Sequence, residues 1–139
     1  MRHASKTGLK ETLSRKVPQL AAAIAALVYL SYPSARYNFD GIACAIAVDL
    51  SDFRHLVHGN HLTYGILVWL WFELWRLLGY SGASLPAIQV MSSLLGAAGV
   101  GIFVRLLLRC GIRPALAMTA AAGLMVSQVY WTWSLEAQV

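Results

Sequence analysis

From Leu85 to Leu108 the chain carries a single formal charge, Arg105. Read as a helix at 1.5 Å per residue, this run is about 36 Å long. That is enough to cross a hydrocarbon core of about 30 Å with some tilt. The other place for such a helix is the interior of a soluble domain, and composition argues against it. The chain has 139 residues, of which 58% are hydrophobic and 12% charged. Soluble domains are about one quarter charged, and a chain this short has too little interior to hide so much apolar surface. The expected solvent is lipid. Five Trp and six Tyr fit that reading, because these rings favour the membrane–water interface.

The formal charge of +5 does not point to nucleic acid. The basic residues flank apolar runs and form no stripe with interleaved aromatics. Residues 1–16 read as a basic, poorly ordered cytoplasmic tail, with Arg2, Lys6, Lys10, Arg15 and Lys16 against Glu11. A second basic cluster is Arg105, Arg109 and Arg113. Lys and Arg stay preferentially on the cytoplasmic side, so both clusters are expected inside.

That constraint selects the topology. Spans are expected at 17–33, 85–108 and 114–132. The first also has the basic start of a signal peptide, but further apolar runs follow, and it is read as an uncleaved anchor. The run 62–78 contains Glu73 and Arg76, which would be costly at mid-bilayer. It is read as an external juxtamembrane or re-entrant helix, in which the two side chains pair at i,i+3. Counting it as a fourth span would move the 105–113 arginines outside. Ser92, Gly96, Ala97 and Gly101 permit close helix approach on the long run, or are merely tolerated there. Cys44 and Cys110 then fall on opposite sides, so no disulfide is expected. The fold class is an all-α integral membrane helical bundle, placed in a bacterial inner membrane with a cytoplasmic N-terminus.

The external loop 34–61 gathers Asp40, Asp49 and Asp52 with His55, His58 and His61. Within it, Gly41 to Leu50 is small and apolar, a candidate for a short surface helix. Asp40 reads either as a solvated acid or helix cap or as a functional carboxylate. Asp49 and Asp52 read as solvated surface. The three histidines recur every third residue, which drifts about 60° per step on a helix, so a three-ligand metal site there is strained. Glu136 shares the outer side with Asp40. Trp131 and Trp133 read as an interfacial belt.

The layout resembles the N-terminal part of the C-type fold of membrane glycosyltransferases, such as protein mannosyltransferases and the aminoarabinose transferases of lipid A. Four features carry the likeness. A basic tail and span are followed by Phe39-Asp40. A motif His58-Gly59-Asn60-His61-Leu62-Thr63-Tyr64-Gly65 opens the juxtamembrane helix, with Gly59-Asn60 where relatives have a Pro-Pro pair. A long span ends in Arg105 and Arg109. An Ala-rich span ends in Trp131-Thr132-Trp133-Ser134-Leu135-Glu136. Members of the family run to several hundred residues, so the chain is expected to represent a truncated or incomplete form of that fold.

The resemblance implies transfer of a sugar from a polyprenyl-phosphate donor at the outer face. Asp40 would be the base or acceptor-orienting acid, and Glu136 a second acidic group. Arg36 or Arg54 would face the lipid phosphate, while His58, His61 and Tyr64 would line the substrate pocket. A divalent ion such as Mg²⁺ or Mn²⁺ would suit the carboxylates. Expected partners are the lipid-linked sugar, membrane lipid and other membrane helices. A small helical membrane protein that binds lipids or partners without catalysis is the alternative. A transporter fragment is disfavoured, because the spans look nearly free of polar residues.

Overall fold

The computed structural model describes residues 3–35, 39–57 and 63–136, with side chains from residue 16 onward. Every regular element among them is helical. In chain order these are α1 (His3–Ser31), α2 (Phe39–Asp49), α3 (Phe53–Leu56), α4 (Tyr64–Leu77), α5 (Ser84–Arg109), α6 (Pro114–Val126) and α7 (Gln128–Leu135).

The basic tail departs from expectation. It is not separate from the first apolar run but continues it as one helix, with Pro18 inside. Its Lys, Arg, Glu, Leu and Ala are good helix formers, and they outweigh the local polarity. The helix stops at Ser31 rather than at residue 33. The residue before a proline is driven out of the α region, and here that proline is Pro33. The Ser31 hydroxyl donates back to the Leu27 carbonyl at 2.7 Å, an i−4 bond of the kind serine makes within a helix.

Both α4 and α5 end on a glycine in the left-handed region, Gly79 at φ +92° and Gly111 at φ +81°. At each end two backbone bonds close the same loop. Tyr80 N–H reaches the Trp75 carbonyl and Gly79 N–H that of Arg76; Ile112 and Gly111 bond Leu107 and Leu108 in the same way. This is the Schellman stop. Pro114 then opens α6 at a position where its missing N–H costs nothing.

The expected span 114–132 is interrupted. Ser127 is extended at φ −63°, ψ 134°, and its hydroxyl donates to the Leu124 carbonyl at 2.8 Å. Beyond it α7 is held against α5 by the Tyr130 hydroxyl, which donates to the Gly96 carbonyl at 2.7 Å. Tertiary bonding thus replaces helix continuity. Among the described residues only α5 is long and apolar enough to cross a membrane, with a mean hydropathy of 1.8. The apolar part of α1, Lys16–Ser31, and α6, Pro114–Val126, are shorter. Thirteen residues of α6 give about 20 Å.

Helix α5 carries two cores along its length. Its later turns present Ala97, Val100 and Val104 to Ala21, Ala25 and Tyr29 of α1 and to Ala117, Ala121 and Met125 of α6. The partner stripes repeat at i, i+4, i+8, one face of a helix. Its first turns present Ala87, Ile88 and Met91 to Ala45 and Val48 of α2, Leu56 of α3, and Val68 and Phe72 of α4. Trp71 locks α4 in place by donating its indole N–H to the Ala87 carbonyl at 2.8 Å. Large apolar side chains face outward on the same helices, Leu27, Leu95, Ile102, Val126 and Val129 among them. An exterior of this kind needs an apolar surrounding or a partner.

Candidate functional site

The most polar place inside the molecule is a seam on the first half of α5. Gln89, Ser92 and Ser93 are buried, and with Gly96 they stand at i, i+3, i+4 and i+7, so they share one helix face. Three parts of the chain converge on it. Gln89 Nε2 donates to the Ser34 carbonyl at 2.9 Å. Tyr64, opening α4, brings its hydroxyl toward Ser92. Ser134 of α7 packs directly on Gly96, where any side chain would collide with it. Its hydroxyl also lies by that of Tyr29.

Glu136 follows two residues after Ser134 and is 9% exposed. The sequence reading places it as an external loop acid, and the structure instead buries it. The cause is α7, which docks flat against α5 and draws its C-terminus into the packed interior. A buried carboxylate requires compensating polar contacts, and Glu136 does interact with its surroundings. Asp40 has the opposite environment. It is exposed in the first turn of α2, where the helix dipole favours a negative charge.

The remaining expected site residues divide as follows. Arg54 is exposed on α3. Tyr64 is half-buried, and its hydroxyl makes no hydrogen bond of ordinary geometry to a described residue. Burial pushes its ionisation up to about 12, with Ser92 acting weakly the other way. The phenol therefore stays neutral at any physiological pH and faces α5 rather than an open pocket. Arg36, His58 and His61 lie outside the described residues, as do Gly59, Asn60 and Leu62 of the same motif.

The loop acids lie at the surface, as expected, Asp49 exposed and Asp52 partly so, and each also caps a helix. Asp49 Oδ1 accepts the Ser84 N–H at 2.9 Å, capping α5 from another helix. Asp52 caps α3 by accepting the Arg54 N–H at 3.1 Å. His55 Nδ1 donates to Asp52 Oδ2 at 2.7 Å, and this bond holds the Asp52 carboxyl below the usual aspartate range. His55 is thereby engaged in a local turn. The Cys44 thiol, part-buried on α2, is pushed up by desolvation. Glu73 and Arg76 form the expected i,i+3 pair at 3.1 Å. Trp131 is not a free belt residue. It is half-buried, edge-on to Tyr29 at 5.6 Å between ring centres, and Trp133 is exposed.

Among the described residues no three His, Cys, Asp or Glu side chains come together as ligands for a metal ion. The seam offers serine hydroxyls and one amide, a donor set suited to hydrogen bonding rather than to holding Mg²⁺ or Mn²⁺. Comparison with family models, with curated proteins and with solved structures returns no match to this chain.

The sequence reading passed over Gln89, Ser93 and Ser134. One signal was available. Gln89, Ser92 and Ser93 are polar residues at helical spacing inside an apolar run, and polar groups placed there need partners.

Proposed function

We propose that this chain forms part of an integral membrane glycosyltransferase that takes a sugar from a polyprenyl-phosphate donor. The observation that carries the proposal is the burial of Glu136, two residues after the Ser134 that packs on Gly96 at the end of the seam, in a helical assembly with an apolar exterior.

In this reaction the acceptor oxygen bonds to C1 of the sugar. A carboxylate takes the acceptor proton as the bond forms. The bond from C1 to the lipid phosphate oxygen breaks, and its electron pair leaves with the phosphate. A guanidinium offsets the charge that develops on that oxygen. Asp40, exposed at a helix start, suits an acceptor arriving from water. Glu136 orients the sugar hydroxyls together with the serines of the seam. Arg54, 14 residues after Asp40 and exposed on α3, is one candidate guanidinium, and Arg36 is the other.

The test is release of polyprenyl phosphate from a panel of polyprenyl-phosphate sugars by membranes containing the chain. The expected result is turnover with at least one donor, lowered about 10²-fold or more in Asp40→Asn and reduced in Glu136→Gln. No turnover across the panel, or turnover unchanged in both variants, overturns the proposal.

A further inference from the structure

A groove of about 670 Å³ lies between α1 and the second half of α5, away from the polar seam. Its mouth carries Arg105 and Arg109, and its floor includes Ala22, Ala98 and Gly101. Arg109 is about 24 Å along the helix axis from Ser93, so the groove belongs to a different end of the molecule from Glu136.

The geometry explains why the groove exists. Gly101 lacks a side chain, and one placed there would press on Ala22 and on the Pro18 carbonyl at 3.0 Å. The two helices therefore meet over small residues, and beside this contact the larger Ile102 and Leu108 wall an apolar trough. Ala98, Gly101, Ile102, Arg105 and Arg109 recur at helical spacing and share one face. Arg105 and Arg109 are i,i+4, about 6 Å apart along the axis, so both long side chains can reach one phosphate group. Both are exposed, and neither is ion-paired among the described residues.

Charge at this end is one-sided. Lys16 is exposed two residues before Pro18, and Arg113 follows four residues after Arg109. Of the six acids in the chain, five lie between residues 40 and 73 or at 136; Glu11, seven residues before Pro18, is the exception. An apolar trough that opens at two unpaired guanidinium groups is complementary to a molecule with an anionic head and a hydrocarbon tail. Guanidinium pairs bind phosphate oxygens bidentately, and basic clusters at a membrane face attract anionic lipids.

We propose that this groove binds one anionic phospholipid, with its phosphate between Arg105 and Arg109 and an acyl chain along Ala98, Gly101 and Ile102. The proposal shares with the transferase reading only the membrane setting. The bound lipid would hold the C-terminal end of α5 at the headgroup level on the basic side.

The test uses the full chain purified in mild detergent. Phosphatidylglycerol, phosphatidylcholine with the same acyl chains, and inorganic phosphate are each titrated, and lipid retention is read by native mass spectrometry alongside the unfolding temperature. Phosphatidylglycerol is expected to be retained and to raise the unfolding temperature. The Arg105→Gln/Arg109→Gln double variant should weaken its binding about thirtyfold, at about 1 kcal/mol per arginine. Ile102→Trp, which narrows the trough without touching charge, should weaken both lipids. Equal retention of the two lipids, or an unchanged preference in the double variant, overturns the proposal. Stabilisation by inorganic phosphate equal to that by phosphatidylglycerol overturns it also, since the site would then read free phosphate. Extraction of the source membranes with alkaline carbonate separates the two proposals. Release of the chain defeats the membrane reading and both proposals with it, whereas a retained chain without lipid preference defeats this one alone.

Discussion

The Asp49 carboxylate accepts the first backbone N–H of α5, that of Ser84, at 2.9 Å. The Ser84 hydroxyl returns the contact by donating to the Ala45 carbonyl, also at 2.9 Å. One helix thus caps another across 35 residues of chain. Ala83, the residue at the N-cap itself, has no side chain able to do so. The pair ties the small helices α2 and α3 to the long α5, and with them the chain that leads to Asp40.

Asp49→Ala should therefore cost about 1 kcal/mol, the usual worth of a helix cap. Asp49→Asn, which keeps an acceptor oxygen, should cost less. Thermal unfolding in detergent, followed by circular dichroism, measures both. An alanine variant as stable as the parent would show that the cap carries no net stability.

Tyr64 and Tyr130 make opposite predictions for the same chemical change. The Tyr130 hydroxyl bonds the Gly96 carbonyl, so Tyr130→Phe should lose about 1 kcal/mol. The Tyr64 hydroxyl is buried without a well-formed bond, so Tyr64→Phe should be neutral or stabilising. In the parent, spectrophotometric titration should find one tyrosine ionising near 12 and missing from Tyr64→Phe.

Asp52 supplies a pH dependence. His55 favours its charged form, so the stabilising contribution is complete above the ordinary aspartate pKa of about 3.9 and is lost as pH falls through the lowered value. Protection of the amides of α3 should fade only in that acidic window. His55→Ala should move the fade to higher pH, toward the ordinary aspartate value, as read by hydrogen exchange. A fade at the same pH with and without His55 would remove the pair from the account.

Gly65 packs on the Leu56 carbonyl with no room for a methyl group. Gly65→Ala should cost about 1–3 kcal/mol by forcing the α3–α4 backbones apart. Gly123, with open space around it, is the control. Gly123→Ala in a helix interior should gain a few tenths of a kcal/mol or more.

Topology can be read by single cysteines at Ser51, Ser81, Arg109 and Ala137 in a background without Cys44 and Cys110. On the three-span reading, an impermeant thiol reagent on intact cells labels Ser51, Ser81 and Ala137 but not Arg109. Labelling at Arg109 with protection at Ala137 would put Asp40 and Glu136 on opposite faces and end the shared-site reading.

Periodicity and punctuation already determine much of this architecture. The run from Leu85 to Leu108 reads as a long helix, Gly79 opens a turn, Pro33 and Pro114 bound their helices, and Glu73 and Arg76 pair on one face. Each of these depends on residues within a few positions of one another, so local chemistry suffices. What tertiary structure alone decides is where polar groups end up. In sequence Glu136 is only an acid beyond the end of an apolar run, and its burial comes from the packed fold; Asp49 looks like a loop acid until Ser84 arrives from 35 residues away. The break at Ser127 is of the same kind. Ala-rich sequence gives no sign of it, and beyond the break Tyr130 bonds the Gly96 carbonyl and Ser134 packs on Gly96. Burial and long-range bonds are sums over neighbours distant in sequence, and only the packed molecule brings those neighbours together.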